Sequence, residues 1–130
     1  MQYIIMLLIV IGLALSDIVT GWIKAHVNND YCSAVMRKGG LRKLGEITVM
    51  ITACGLEIGM ELLGTYYEST ELAALAGAVT AVSVFFYIVV MELISILENY
   101  AEADPEAKFA KDFIKKLRKF SDEEEGNDDE

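Results

Sequence analysis

Three long runs of apolar residues dominate most of the chain. They extend from Gln2 to Ile23, from Ile47 to Tyr67 and from Leu72 to Met91. A helix needs about 20 apolar residues to cross the hydrocarbon core of a bilayer, and each run is long enough. The sequence lacks the alternation of apolar and polar positions that is typical of β-strands. The pattern therefore predicts an all-α integral membrane protein with three transmembrane helices.

These runs and the polar stretches around them divide the chain into seven predicted segments. We expect Gly39-Gly40 to interrupt a short amphipathic helix in the first loop, where basic residues would meet anionic lipid head groups. In chain order the segments are transmembrane helix 1 (1–24), a basic cytoplasmic loop (25–45), transmembrane helix 2 (46–67), a short outer loop (68–71), transmembrane helix 3 (72–98), a cytoplasmic amphipathic helix (99–120) and a disordered acidic tail (121–130).

The distribution of basic residues predicts the orientation in the membrane. All 11 Lys and Arg residues lie either between the first two runs or after the third. Basic loops stay on the cytoplasmic side, which places the N-terminus outside and the C-terminus in the cytoplasm. The first run could instead be a cleaved signal peptide, since Ala14-Leu15-Ser16 offers small residues. However, no Lys or Arg precedes it, and signal peptides begin with a basic region.

The formal net charge of −9 says little about partners. Seven of the 20 acidic residues lie in the last ten positions, and the rest of the chain is close to neutral. Such an acidic end is typical of a solvated, disordered tail. A nucleic-acid partner therefore has no support in the composition.

The second apolar run carries carboxylates where a charge is most costly. At about 100° per residue, four glutamates fall in a sector about 60° wide, which we call the acidic stripe. A carboxylate near the bilayer centre costs several kcal/mol unless it is neutralised, faces water or has a partner. No Lys or Arg lies within the three runs. The acidic stripe consists of Glu46, Glu57, Glu61 and Glu68, and the opposite side, which we call the small-residue face, holds Thr48, Thr52, Gly55 and Gly59.

Two interpretations of the acidic stripe remain open. The glutamates are either protonated and buried between helices, or they line an aqueous surface that several copies build. There are two plainer alternatives, which are ordinary buried, hydrogen-bonded acids and a soluble helical bundle with exposed acids. The one-sided basic loops disfavour the soluble bundle. We therefore treat the four glutamates as candidate pore-lining or assembly residues.

Small residues recur three or four positions apart in all three runs, and they predict close contacts between helices. The sequence leaves open whether these contacts lie within one chain or between copies. The candidate packing residues are Gly12, Ser16 and Thr20 in helix 1, Thr52, Gly55 and Gly59 in helix 2, and Ala73, Gly77 and Ala81 in helix 3.

The segment after residue 104 predicts an amphipathic helix, with Asp104 as its N-cap and Pro105 at the first helical position. Lysines surround its apolar face, which is typical of a helix lying in the membrane interface. Packing on a partner protein is the alternative. The candidate membrane-surface residues are Lys108, Phe109, Lys111, Phe113, Lys115, Lys116 and Leu117.

The sequence offers little for catalysis or metal binding. Its single histidine, His26, and its two cysteines, Cys32 and Cys54, lack the spacing of metal ligands. Gly39-Gly40 lacks the frame of a phosphate-binding loop, and no nucleophile with its base is recognisable. We expect no metal, no cofactor and no enzymatic activity.

Three stretches together resemble a known family. They are "DIVTGWIKA" (17–25), "RKGGLRKLG" (37–45) and "YIVVMELISILEN" (87–99), followed by a "P…KF…KKL" helix. In order and spacing they are similar to the phage-lysis and toxin-secretion holins, found in phages of Gram-positive bacteria and beside clostridial toxin genes. The resemblance covers residues 1 to about 119. The residues that fall on the family pattern are Asp17, Gly21, Arg37, Gly39, Lys43, Glu92 and Asn99.

The resemblance implies a multi-pass protein of the bacterial cytoplasmic membrane. Such a protein accumulates and then forms a homo-oligomer of many copies, a large non-selective lesion that releases a cell-wall hydrolase or a protein toxin. Its partners would be the lipid bilayer, its own copies and the released protein. The alternatives are a small proton- or cation-coupled transporter that uses Glu57 or Glu61, and a non-conducting membrane adaptor that recruits a partner through the segment from Asp104 onward.

Overall fold

The computed structural model describes residues 1–71, 74–75 and 81–125, and within these ranges the chain forms helices and no strand. Three of the helices are long and apolar enough to cross a membrane. The prediction of an all-α protein with three such helices is therefore confirmed. The helices are α1 (Gln2–Val27), α2 (Ser33–Tyr66), α3 (Ala81–Ala103) and α4 (Lys108–Glu125), and residues 70–71 and 74–75 are also helical.

The three long helices pack around a small apolar core. α1 contacts α3 most extensively, and α2 lies against both. Most large apolar side chains point away from this core; Leu62 and Phe86, for example, are 65% and 60% exposed. An apolar outer surface of this extent is unfavourable in water and suits the hydrocarbon interior of a bilayer. The buried core residues are Val10, Met50, Ala53, Cys54, Ala81 and Ile88.

α1 and α2 each end in a hydrogen-bonded turn of the same type. At the end of α2, the amide of Ser69 donates to the carbonyl of Gly64 (2.9 Å) and the amide of Glu68 donates to the carbonyl of Thr65 (3.4 Å). This pair of bonds defines a Schellman motif, which needs one residue in the left-handed conformation. Glu68 takes that position in α2 with φ 49°, and Asn29 takes it after α1 with φ 52°.

α2 is longer than the sequence predicts. Its 34 residues continue from Ser33 to Tyr66 without interruption, so the predicted break at Gly39-Gly40 is wrong. A glycine costs a helix only about 1 kcal/mol, and the Arg, Lys and Leu residues around this pair are good helix formers. At about 1.5 Å per residue the helix is about 51 Å long, whereas a bilayer core is about 30 Å thick. Its basic N-terminal part therefore extends beyond the apolar layer.

The boundaries after α3 also differ from the prediction. α3 ends at Ala103 rather than at residue 98. Asp104 accepts a hydrogen bond from the amide of Glu106 (3.1 Å) and forms a turn, so α4 begins at Lys108 and Pro105 is not its first helical residue. α4 continues to Glu125, so the first five residues of the predicted disordered tail are helical; the remaining five lie outside the described residues.

Candidate functional site

A group of charged side chains lies in the interior where α1, α2 and α3 meet. The amine of Lys43, on α2, lies 2.8 Å from Oδ2 of Asp17 on α1 and 2.6 Å from Oε2 of Glu92 on α3. Glu46, one turn further along α2, places Oε2 at 3.5 Å from the same amine. Lys43, Asp17 and Glu92 are 5%, 9% and 1% exposed, so all three are buried. One amine thus joins the carboxylates of two other helices.

Asn99 completes this arrangement from α3. Its Nδ2 donates to Oδ1 of Asp17 (2.9 Å) and lies 3.5 Å from Oγ1 of Thr20. Gly21 of α1 lies against Asn99, since a Cβ at that position would make an ordinary contact with Nδ2 of Asn99 at 3.5 Å. We call Asp17, Lys43, Glu46, Glu92 and Asn99 the Lys43 cluster.

The Lys43 cluster fixes how the helices sit relative to one another. Removing one partner of a buried ion pair costs about 3–5 kcal/mol, because the remaining charge is left without compensation. Apolar contacts between helices in lipid specify position poorly, since lipid tails are equally apolar. The polar contacts of Lys43 with Asp17 and Glu92 therefore favour one arrangement of three helices whose other contacts are apolar.

A cleft of about 600 Å³ adjoins the Lys43 cluster. Residues of α1, α2 and α3 line it, including Lys43, Asn99 and the glycine pair Gly39-Gly40. The amine of Lys24 on α1 and Oε2 of Glu102 on α3 form an ion pair of 2.7 Å among the lining residues. The polar end of the three-helix unit is therefore open beside the buried charges.

Glu57 has partners on two other parts of the chain. Its Oε1 accepts a hydrogen bond from the hydroxyl of Tyr3 on α1 (3.1 Å), and its Oε2 accepts one from the amide of Ala81 on α3 (2.6 Å). Met50 lies between Glu46 and Glu57 on the same side of α2 and is fully buried. This part of the acidic stripe therefore faces inward, against α1 and α3.

The acidic stripe is shorter than the sequence predicts. Glu61 remains on the acidic stripe, and its side chain is exposed on the outside of the helices. Glu68 does not belong to it, because the Schellman motif ends α2 at Tyr66 and turns Glu68 into the left-handed region. The expectation of four glutamates on one helical face is wrong at that position.

The small-residue face of α2 points outward. Thr48, Thr52 and Gly55 are exposed, and a Cβ placed on Gly55 or Gly59 would meet no atom within 4 Å. The hydroxyls of Thr48 and Thr52 donate to carbonyls of their own helix at 2.7 and 2.9 Å. No other helix among the described residues packs closely on this face.

The remaining candidate packing residues divide into three groups. Gly12 meets no atom within 4 Å of a Cβ, and the hydroxyl of Ser16 donates to the carbonyl of Gly12 at 2.9 Å, so this pair also points outward. Thr20 faces the Lys43 cluster, and Ala81 is buried in the core. Ala73 and Gly77 lie outside the described residues.

Five of the seven residues on the family pattern come together in space. Asp17, Gly21, Lys43, Glu92 and Asn99 form or adjoin the Lys43 cluster. Of the two remaining residues, Arg37 is exposed, and Gly39 lines the cleft beside the Lys43 cluster.

The prediction that Lys43 lies in a basic loop near lipid head groups is wrong. The uninterrupted α2 carries Lys43 into the interior, where it is buried against Asp17 and Glu92. Sequence reasoning also missed Tyr3 as a partner of Glu57, because they are 54 positions apart and no pattern connects them.

α4 lies against α3 with part of its apolar face. Ala110 is fully buried, and the guanidinium of Arg118 pairs with Glu98 of α3. The rings of Phe109 and Phe113 stack at 5.7 Å and point outward, 74% and 39% exposed. Of the other candidate surface residues, Leu117 is half-buried and the lysines are exposed, namely Lys108, Lys111, Lys115 and Lys116.

Comparison with known proteins gives one match. A family model described as the bacteriophage holin family matches residues 1–121. Neither the curated proteins nor the solved structures contain a match. The matched range includes every residue of the Lys43 cluster and ends within α4.

Proposed function

Because the chain belongs to the bacteriophage holin family, we propose that its copies assemble into large, non-selective lesions that release a cell-wall hydrolase or a protein toxin. The resemblance found in the sequence is confirmed at the level of the family. The protein is a holin-type, multi-pass protein of the cytoplasmic membrane. Assembly into lesions and release of cargo are the content of the proposal.

The orientation of α2 is the observation that carries this proposal. Glu57 is hydrogen-bonded inside the chain, whereas on the opposite side a Cβ on Gly55 or Gly59 would meet no atom of the described residues within 4 Å. A single chain can therefore reside in lipid with this carboxyl group satisfied. Its outer face offers small residues against which another helix can pack closely. These two properties support accumulation of intact copies before any hole opens.

Opening of a lesion would require the acidic stripe to exchange protein partners for water. In a ring of copies, α2 would turn Glu46, Glu57 and Glu61 toward the lumen, where hydrated carboxylates carry no burial cost. The hydrogen bonds of Glu57 and the ion pairs of Lys43 must break first. Their loss provides a barrier that separates accumulation from opening.

The cytoplasmic end of the protein would lie close to the membrane surface. We expect the N-terminus outside and α4 inside, as the basic segments require. The stacked Phe109 and Phe113 would enter the interface, and the exposed lysines of α4 would meet anionic head groups.

Expression in bacteria together with a cell-wall hydrolase that lacks an export signal tests the proposal. The expected result is abrupt lysis that requires both proteins, and a catalytically inactive hydrolase is the control. Saturable passage of small ions without escape of the hydrolase would instead indicate a transporter. An intact membrane at high expression would indicate an adaptor, and either result would overturn the proposal.

A further inference from the structure

Two carboxyl oxygens of the Lys43 cluster are buried and lack a hydrogen-bond donor. They are Oε2 of Glu46 and Oε1 of Glu92. The side chain of Glu92 is completely buried, and Oε2 of Glu46 (3.5 Å) and Oε2 of Glu92 (2.6 Å) both approach the amine of Lys43, so the two carboxyl groups lie close together. A buried acceptor without a donor is rare and requires an explanation.

The other carboxyl oxygens of the cluster each have a donor, so the deficit is confined to this one place. Lys43 donates to Oδ2 of Asp17 (2.8 Å) and to Oε2 of Glu92 (2.6 Å). Asn99 donates to Oδ1 of Asp17 (2.9 Å), and Arg42 donates to Oε1 of Glu46 (2.9 Å).

A count of charges points to the same place. The ionisable groups that face one another are Asp17 of α1, Arg42, Lys43 and Glu46 of α2, and Glu92 of α3. If all are ionised, three carboxylates against two cations leave one negative charge in excess. One added proton makes the group neutral, and a protonated carboxyl can donate to its neighbour and satisfy both oxygens at once.

Among the described residues, no further cation near this site is free to add positive charge, and Asp30, which lines the cleft, is an exposed acid. Lys24 of α1 pairs with Glu102 of α3 beside the cleft, and Arg118 of α4 pairs with Glu98 of α3. Each pair is neutral by itself, so neither supplies the missing positive charge.

We propose that Glu46 and Glu92 bind one exchangeable proton, shared between Oε2 of Glu46 and Oε1 of Glu92, which joins α2 to α3. The cleft of about 600 Å³ is lined by Lys43 and Arg42, the cations that contact Glu92 and Glu46, so water in the cleft comes within one side chain of the proton. The site takes a proton as its ligand, and it differs from Glu57 and Glu61 in having the cations Lys43 and Arg42 beside it.

This proton regulates the closed chain, an inference that rests on the proposed function. When the proton leaves, two adjacent carboxylates repel each other at a site of low dielectric constant. The contact between α2 and α3 weakens, and the acidic stripe is freed to turn toward water. Because the closed state binds one more proton than the open state, a rise in pH at the cleft favours opening and acidification favours the closed chain.

Infrared spectroscopy of the full chain in lipid vesicles tests the proton site directly, through the C=O stretching band of a protonated carboxyl. Glu46→Gln and Glu92→Gln each replace one carboxyl with an amide that donates a hydrogen bond to the other. Glu61→Gln is the matched control, since Glu61 is an exposed acid on the same helix. Circular dichroism establishes that each variant keeps its helices.

The expected result is the same band in the two difference spectra, wild type minus Glu46→Gln and wild type minus Glu92→Gln, weakening as pH rises. The Glu61→Gln difference should lack it. A band missing from either cluster difference, or equally present in the control, would overturn the shared proton. The measurement needs no lesion, so a protein that shows the band but never releases a hydrolase would contradict only the proposed function.

Discussion

The amine of Lys43 lies 2.6 Å from Oε2 of Glu92, a residue 49 positions further along the chain. The same amine contacts Asp17 of α1, so one cation connects all three long helices. This contact exists because α2 continues through Gly39-Gly40 and brings Lys43 into the interior. In lipid, where apolar surfaces gain little from meeting one another, such polar contacts decide which arrangement the helices adopt.

Replacement of Lys43 should strongly destabilise the three-helix unit. Lys43→Met keeps an unbranched side chain of nearly the same length but leaves Asp17 and Glu92 buried without their cation. We expect a loss of about 3–5 kcal/mol in the free energy of unfolding, measured by denaturant unfolding in detergent micelles. Lys38→Met is the control, because Lys38 is an exposed lysine of the same helix. Equal stability of the two variants would contradict the structural role of Lys43.

Removal of the Tyr3 hydroxyl should release Glu57 more readily. Tyr3→Phe deletes the donor that Oε1 of Glu57 accepts from, at a cost of about 1 kcal/mol to the closed chain. We therefore expect an earlier onset of dye leakage from cells that express the variant at an equal level. Tyr87→Phe, at an exposed position of α3, should leave the onset unchanged. An unaltered onset in Tyr3→Phe would show that this hydrogen bond does not retain the acidic stripe.

Neutralising the acidic stripe should impair the open lesion. Glu57→Gln/Glu61→Gln replaces two carboxylates with amides, which are hydrated less strongly than charged groups in an aqueous lumen. Dye leakage should begin later, and large dyes should be retained better than small ones. Glu106→Gln, at an exposed position between α3 and α4, is the charge control. If onset and size limit are both unchanged, the acidic stripe has no part in the lesion.

The turn after α2 predicts a stabilising substitution. Glu68 has φ 49°, a conformation that costs a non-glycine residue about 1–2 kcal/mol and glycine very little. Glu68→Gly should therefore raise the free energy of unfolding by up to about 1 kcal/mol, after the larger chain entropy of glycine is allowed for. Glu71→Gly removes the same charge from a helical position and should lower it by about 1 kcal/mol. Destabilisation by both would contradict the left-handed turn.

The sequence predicted the helical class and the three spanning helices because long apolar runs have few alternatives in a membrane protein. It could not predict where α2 begins. Two adjacent glycines lower helix stability and so indicate a break, whereas the contacts of Lys43 with Asp17 and Glu92, which favour a continuous helix, are visible only in three dimensions. The assignment of Glu68 to the acidic stripe was wrong for a similar reason, since Glu68 takes a left-handed position usually occupied by glycine.

The candidate site was predicted in part. The family pattern selected Asp17, Lys43, Glu92 and Asn99, which the structure brings together, but it gave no reason for their association. Helical periodicity placed Glu46, Glu57 and Glu61 on one side of α2, and it could not show that this side faces α1 and α3. Periodicity defines the faces of a helix, whereas the partner of each face depends on tertiary packing.

The labelling of one buried thiol tests most directly the claim that the acidic stripe faces inward at rest and turns to water when a lesion opens. Met50 lies on this side of α2 and is fully buried. In a chain with Cys32→Ser and Cys54→Ala, Met50→Cys provides the sole thiol for a membrane-impermeant maleimide, and Glu71→Cys, at an exposed position, reports that the reagent has access. The account predicts no reaction at position 50 before leakage and reaction in step with leakage. Labelling of position 50 in cells that do not yet leak, or protection of position 50 that persists in open lesions, would contradict it.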